Sequence, residues 1–205
     1  GRLEEALALV EEALAWAGEN GEESLRDRAM CNRAAIALEL GRGAVHVPAL
    51  RALLVRSADA ENTYLAAYTL ARHYELQKEH RKGLFYAQLA RDRAKALDEN
   101  RCAASLNYIA NFLVAESRFD EAIAVYEEAL ALLPSRDSLR GAVIGYNLGY
   151  CNVLTGRSHD GLALLYASLR TLLRRGAAAH AMKAQLDLAF ALLETSHARQ
   201  AARHA

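Results

Sequence analysis

The chain has little cysteine and little proline: its 205 residues include 3 Cys and 2 Pro. The three cysteines, Cys31, Cys102 and Cys151, lie far apart and form no C-x-x-C pair. The sequence therefore favours neither a disulfide framework nor a zinc knuckle. Free thiols fit a reducing compartment, so we expect a cytoplasmic protein.

The chain also lacks an excess of either charge, because 25 Lys and Arg balance 25 Asp and Glu. Without a positive field to attract a phosphate backbone, we expect no direct binding to nucleic acid. No run approaches the roughly 18 apolar residues of a membrane span, and residues 1–4 do not begin a secretory signal, so no membrane partner is expected. The sequence enters a helical pattern at once without an initiator methionine, which suggests a piece of a longer protein.

Alanine and leucine, both good helix formers, dominate the composition. The clearest helical pattern is RFDEAIAVYEEALALLP, residues 118–134. Its stripe of Ala122, Tyr126 and Ala129 has steps of four and three residues and is followed by the stop signal Pro134. Two alanines on either side of one aromatic ring predict a helix that packs closely on a second helix.

This pattern recurs along the chain, which indicates a tandem repeat. Residues 5–17 copy residues 121–133. A set of six positions, which includes three positions of the segment 121–133, occurs three times at a constant spacing of 39 residues. The three copies are Leu70-Ala71, Tyr74, Gly83, Ala87 and Ala90; Ile109-Ala110, Leu113, Ala122, Tyr126 and Ala129; and Leu148-Gly149, Asn152, Gly161, Leu165 and Ser168.

The small, aromatic, small and proline positions resemble those of the tetratricopeptide repeat (TPR) family. The spacing is longer than the 34 residues of the commonest unit, and such long units occur in bacterial regulatory and signalling proteins. The resemblance implies an all-α fold, a right-handed α-α superhelix of about five helix pairs. We expect one domain over 1–205, with half a repeat at 1–20, repeats at 21–58, 59–99, 100–135 and 136–175, and a partial repeat at 176–205.

Each repeat consists of a first and a second helix, and no credible strand is found. Because proline is tolerated only in the first turn of a helix, we start one second helix near Val47, before Pro48, after a turn over 43–46. In the partial repeat at the C-terminal end, the first helix spans 177–195, and its second helix is expected to begin at Ser196. The predicted helices are 3–17, 22–40, 47–57, 60–77, 82–97, 101–116, 119–133, 137–155, 158–174 and 177–195.

The resemblance also implies a function, since first helices line the concave groove of the family's superhelix. We expect a non-catalytic scaffold that binds a peptide or protein partner there, through groove positions that carry aromatic, amide or charged side chains. These are Tyr68, Arg72, Glu75, Asn107, Asn111, Tyr146 and Tyr150. Replacing both Tyr146 and Tyr150 by alanine is expected to weaken partner capture by about 2 kcal/mol or more and to change thermal stability little. The family's carboxylate clamp is not supported, because Tyr68, Asn107 and Tyr146 stand where it has lysine.

The alternative function is a ligand- or peptide-sensing domain of a bacterial transcription regulator or signalling enzyme. Catalytic residues, metal ligands and cofactors are not expected, because the histidines lack metal spacing and the Glu-Glu pairs lie on outer helix faces. Gly145 and Gly149, four residues apart, predict close helix packing rather than a phosphate loop. Open ends of the array expose apolar faces that allow a homodimer.

Overall fold

The computed structural model describes the backbone of residues 2–204 and the side chains of residues 2–196. Within the described backbone the chain forms ten α-helices, one 3-10 helix and no strand, which confirms the all-α prediction. The α-helices are α1 (Arg2–Glu19), α2 (Glu23–Glu39), α3 (Val47–Arg56), α4 (Ala60–Leu76), α5 (His80–Ala94), α6 (Glu99–Ala115), α7 (Phe119–Ala131), α8 (Leu139–Leu154), α9 (Ser158–Arg174) and α10 (Ala178–His204). None of them is long and apolar enough, over the residues described, to cross a bilayer.

The chain divides into two compact units, with the division inside α6. Unit 1 is Gly1–Tyr108 and unit 2 is Ile109–Ala205. By their place in the repeat, α2, α4, α6, α8 and α10 are the first helices, and α1, α3, α5, α7 and α9 are the second helices.

Four first helices end in the same way, with a residue in the left-handed conformation. It is Gly41 after α2 (φ 73°), Lys78 after α4 (φ 57°), Ser117 after α6 (φ 61°) and Gly156 after α8 (φ 82°). In each case its amide bonds to the carbonyl three residues back, and the next amide bonds to the carbonyl five residues back. This is the Schellman motif, which satisfies the last carbonyls of a helix.

The irregular second helix of the first complete repeat has the predicted form. Gly43–His46 is a 3-10 helix, and α3 then begins at Val47 with Pro48 in its first turn. Proline is tolerated there because the first amides of a helix have no partner within the helix.

The residues that repeat at a spacing of 39 are the residues that the helices bury. All eighteen repeated residues are at most 7% exposed or fall in the buried class. Small residues stand at the tightest of these positions, and Ala87, Ala90, Ala122 and Ala129 are fully buried. The repeat in the sequence is therefore a repeat of the packing surface.

α8 and α9 pack closely in unit 2, where glycines meet. A Cβ atom built on Gly161 would lie 2.6 Å from the Gly149 carbonyl oxygen and 2.8 Å from the Val153 amide nitrogen. A Cβ on Gly145 would lie 2.8 Å from the Ser168 hydroxyl oxygen. The prediction that Gly145 and Gly149 serve close helix packing is confirmed.

The predicted start of a second helix at Ser196 is wrong. α10 runs without a break from Ala178 to His204. The segment 196–204 contains neither glycine nor proline, so nothing in its backbone preferences ends the helix. Elsewhere the helix ends lie within three residues of the predicted ones.

Candidate partner-binding surface

In unit 1, the predicted groove residues lie on a surface that three first helices form. This surface consists of α2, α4 and residues 99–108 of α6, and we call it the unit 1 face. At the N-terminal ends of these helices, ion pairs run across the face. Glu61 on α4 lies 3.4 Å from Arg28 on α2 and 2.5 Å from Arg101 on α6 (guanidinium nitrogen to carboxylate oxygen). One carboxylate thus holds two guanidinium groups, and all three side chains remain about one-third to one-half exposed.

Aromatic rings form the middle of the unit 1 face. The ring of Tyr68 stacks on Tyr64 at 5.6 Å between centroids and meets the edge of Tyr108 at 5.0 Å. Tyr64 and Tyr108 are buried, whereas Tyr68 is half-buried. Burial raises the pKa of Tyr108 well above its ordinary value, and Tyr68 and Glu75 act in the same direction, so its hydroxyl stays protonated. Tyr68 therefore contacts two buried rings and remains partly accessible.

Charged side chains also lie at the C-terminal end of the unit 1 face. Arg72 on α4 pairs with Glu39 on α2, and both side chains are about 40% exposed. Glu75 lies one turn further along α4 and is half-buried, as is Asn107 on α6. Tyr68, Arg72 and Glu75 thus follow one stripe of α4, with spacings of four and three residues.

In unit 2, Asn111 is half-buried and belongs to a polar network between helices. Its side-chain oxygen accepts a hydrogen bond from the Tyr126 hydroxyl at 2.7 Å and one from the Asn147 amide at 3.3 Å. These groups join α6, α7 and α8. Because Tyr126 is only 2% exposed, the network satisfies a hydroxyl that is otherwise buried.

Tyr146 is not exposed, so the expectation that its ring lies on an open wall is wrong. The ring is 3% exposed and packs among Ala181, Ala184 and Leu188 of α10. Its hydroxyl is hydrogen-bonded to the Lys183 ammonium group of the same helix. Replacement of Tyr146 by alanine would therefore leave a cavity, which contradicts the expected small change in stability.

Tyr150 is half-buried and keeps part of its ring accessible. It lies beside Phe190 of α10, with 6.3 Å between the ring centroids. Burial raises the pKa of Tyr150, and the nearby carboxylate of Asp187 raises it further. Asp187 in turn lies 3.5 Å from Lys183. We name Tyr150, Phe190, Lys183 and Asp187 the unit 2 patch.

The sequence reasoning missed the charged groups that accompany the predicted residues on the unit 1 face. These are Arg28, Glu39, Glu61 and Arg101. A signal was available, because Glu61 and Arg101 occupy the first turns of successive first helices and carry opposite charges. Opposite charges at one level of neighbouring helices indicate an ion pair between them.

The cysteines all lie on first helices and are free thiols, as expected. Burial raises the pKa of Cys31 to about 12 and that of Cys151 to about 11, so both remain protonated and unreactive at neutral pH. Among the side chains that the structure describes, no group of three or more His, Cys, Asp or Glu is placed to hold a metal ion.

Neither a protein-family model nor a curated protein sequence matches the chain. Solved structures do match the chain. The crystal structure of BtubC (BKLC) from P. vanneervenii is 19% identical, with a TM-score of 0.65 over 97% of this chain and 93% of that chain. The putative kinesin light chain of Podosopora anserina, described as having nearly identical TPR-like repeats, is 17% identical, with a TM-score of 0.63 over 87% of this chain and 90% of that chain. These similarities confirm a TPR-like helical-repeat fold.

Proposed function

We propose that the chain is a non-catalytic scaffold that binds a peptide or protein segment on its first helices, mainly through the unit 1 face. The fold supports this function, because TPR-like repeats generally hold protein partners and carry no catalytic groups of their own. The free cysteines support a cytoplasmic setting.

The stripe of Tyr68, Arg72 and Glu75 carries the proposal. Its side chains are neither fully buried in the core nor free to move in solvent. Tyr68 is held by two aromatic rings, and Arg72 is held by Glu39. A side chain that is already ordered loses little entropy when a partner arrives, so each contact contributes more to affinity. Tyrosine and arginine are also the residues that most often dominate binding energies at interfaces.

The charges of the unit 1 face determine what kind of segment fits. The three arginines Arg28, Arg72 and Arg101 are balanced by the three glutamates Glu39, Glu61 and Glu75, so these six side chains carry no excess of either charge. A partner attracted by one sign of charge is therefore not favoured. We infer that binding depends on ring contacts and on hydrogen bonds to the partner's backbone, and that it varies little with salt concentration.

In unit 2, Tyr150 and Phe190 provide the aromatic contact with the partner. Tyr146 does not contact the partner but holds α10 in place. Tyr146 packs on α10 and thereby fixes the helix that carries Phe190 and Lys183. In this arrangement Tyr150 is a contact residue and Tyr146 is a structural residue.

The experiment is selection of binding peptides from a random displayed library, followed by calorimetric titration of a selected peptide. Arg72→Ala should weaken binding at least tenfold, because it removes both a contact and the fixed charge pair. Stability should change by less than about 1 kcal/mol, since exposed ion pairs contribute little. Lys95→Ala is the matched control: Lys95 follows α5, a second helix, and pairs with Asp92 in the last turn of that helix.

Equal affinities for Arg72→Ala and the unaltered chain would refute the unit 1 face as the binding surface. A loss with Lys95→Ala that equals the loss with Arg72→Ala would instead indicate non-specific attraction of the peptide to basic groups. Titration at about 50 and about 500 mM salt separates these cases, because only charge-driven binding weakens strongly at the higher concentration.

A further inference from the structure

Two basic side chains meet one tyrosine ring between the helices α3, α4 and α5 of unit 1. Tyr74 on α4 is 4% exposed. The guanidinium carbon of Arg51 on α3 lies 5.9 Å from the centroid of its ring, and the ammonium nitrogen of Lys82 on α5 lies 5.5 Å from that centroid. Tyr86, also on α5, stacks on the Tyr74 ring with 5.5 Å between the centroids. We call Arg51, Tyr74, Lys82 and Tyr86 the Arg51 cluster.

Arg51 is bound by tyrosine hydroxyls and by no carboxylate of the described residues. One of its terminal nitrogens donates a hydrogen bond to the Tyr74 hydroxyl oxygen at 2.5 Å, and Arg51 is also hydrogen-bonded to Tyr86. In contrast, each arginine of the unit 1 face pairs with a glutamate. A guanidinium group has five N–H donors, and two hydroxyl oxygens leave the others available. Because Arg51 is exposed, these donors and its charge are accessible from solvent.

The Arg51 cluster has an excess of positive charge. Lys82 pairs with Glu79, which directly precedes α5, and their side chains are 56% and 44% exposed. Glu79 raises the pKa of Lys82 while Arg51 acts to lower it, so the two cations are close enough to repel each other. His73, whose ring lies 5.0 Å from that of Tyr74, adds little charge at neutral pH because burial lowers its pKa. Two cations and one carboxylate leave one positive charge in excess.

The cluster mainly offers hydrogen-bond donors to a ligand. Arginine and lysine side chains have no acceptor, and a tyrosine oxygen that accepts a bond from Arg51 keeps its own O–H to donate. An anion with several acceptor oxygens matches such a site. A phosphate monoester has three terminal oxygens and a charge of about −1.5 to −2 at neutral pH. A carboxylate has only two oxygens and a single charge, so it matches less well.

We propose that the Arg51 cluster binds the phosphate group of a phosphate monoester, either a free phosphorylated metabolite or a phosphorylated side chain of a protein. Arg51 and Lys82 bind its oxygens through charge-assisted hydrogen bonds, and the Tyr86 hydroxyl donates a further one. Phe85 is 59% exposed, and its ring lies 5.1 Å from that of Tyr86. It provides an apolar surface for the group that is esterified to the phosphate.

This site is separate from the unit 1 face. Tyr74 follows Arg72 by two residues, which places it about 200° further around α4, away from the stripe of Tyr68, Arg72 and Glu75. The other members of the Arg51 cluster belong to the second helices α3 and α5. A segment on the unit 1 face and a phosphate group at the Arg51 cluster can therefore be bound at the same time, and one site can fail without the other.

Isothermal titration calorimetry with phenyl phosphate at low salt tests the proposal. The unaltered chain should bind this probe with a Kd below about 1 mM. Arg51→Ala should weaken binding about tenfold or more, because it removes charge-assisted hydrogen bonds. Tyr86→Phe retains the stacked ring and should weaken binding about threefold through the loss of one hydroxyl. Circular dichroism verifies folding, and Lys82→Ala replaces Arg51→Ala if that variant loses its helical signal.

Arg93→Ala is the matched control for a basic side chain on the same helix. Arg93 is exposed on α5 and lies about three turns beyond Lys82, so this variant should bind phenyl phosphate like the unaltered chain.

Two further probes separate the two sources of the phosphate group. A short peptide with blocked ends and a central phosphoserine that binds as tightly as free O-phospho-L-serine supports a protein side chain as the ligand. A peptide that binds about tenfold more weakly than the free phosphoamino acid supports a metabolite.

No binding of phenyl phosphate up to about 10 mM would overturn the proposal. Equal affinities for Arg51→Ala and the unaltered chain would also overturn it, as would a loss with Arg93→Ala that equals the loss with Arg51→Ala. Benzoate that binds as tightly as phenyl phosphate would contradict the assignment to phosphate, because a carboxylate would then suffice.

Discussion

Replacing Gly161 with alanine should destabilise unit 2, although alanine is the better helix former. Three atoms surround the position that the new Cβ would take: the Gly149 oxygen at 2.6 Å, the Val153 Cγ2 at 2.7 Å and the Val153 amide nitrogen at 2.8 Å. Two of the three belong to the backbone of α8, so no side-chain rotation relieves the overlap. The two helices must move apart instead.

Two opposing effects set the size of the change. Overpacking of a well-packed contact costs about 1–3 kcal/mol. Alanine in place of glycine inside a helix recovers up to about 1 kcal/mol. Because the overlap involves backbone, we take the upper part of the first range and expect a net loss of about 2 kcal/mol. For a unit of this size, that corresponds to roughly 8–16 °C in Tm.

Urea unfolding followed by circular dichroism measures the loss, and Gly18→Ala is the matched control. Gly18 lies in α1, and a Cβ there would meet nothing within 4 Å, so the same substitution should be neutral or stabilise by up to about 1 kcal/mol. Val153→Ala in the Gly161→Ala background should restore only part of the loss, since it removes one of the three overlaps. A neutral or stabilising Gly161→Ala would refute the backbone contact between α8 and α9.

Three further outcomes are expected. Lys78→Gly should stabilise the chain by up to about 1 kcal/mol in urea unfolding, because Lys78 ends α4 in a left-handed conformation that glycine adopts without strain; an unchanged or lower midpoint would contradict this. Burial lowers the pKa of His73, so the unfolded chain binds its proton first and stability falls as the pH drops below about 6.5; His73→Gln should flatten the fall in Tm between pH 7 and 5, and a fall as steep as that of the unaltered chain would contradict this. Tyr146→Ala should cost about 3 kcal/mol of unfolding free energy, more than Tyr150→Ala, and equal losses would contradict the burial of Tyr146.

The sequence was sufficient to predict the repeat and its packing surface. Close helix packing restricts certain positions to small residues, so Ala122 and Gly161 recur at a spacing of 39 residues and both are buried. Pro48 likewise located the start of α3, because its ring excludes all but the first turn of a helix. These constraints act within one helix or between neighbours in the chain, where spacing alone expresses them.

The solvent exposure of the predicted groove residues could not be predicted in the same way. Tyr146 occupies a position that is open in the family's superhelix, but α10 covers its ring here and Lys183 binds its hydroxyl. Nothing in the spacing of α8 indicates how closely the next first helix packs. The pair of Arg72 and Glu39 is a similar case, because it joins side chains on different helices.

The most direct test of a first-helix binding surface is hydrogen–deuterium exchange of the chain with and without a selected peptide. Binding to the unit 1 face should slow exchange in α4 and in residues 99–108, and should leave the second helices α3 and α5 unchanged. Slowed exchange confined to α3 and α5, with α4 unaffected, would contradict the assignment of partner binding to the first helices.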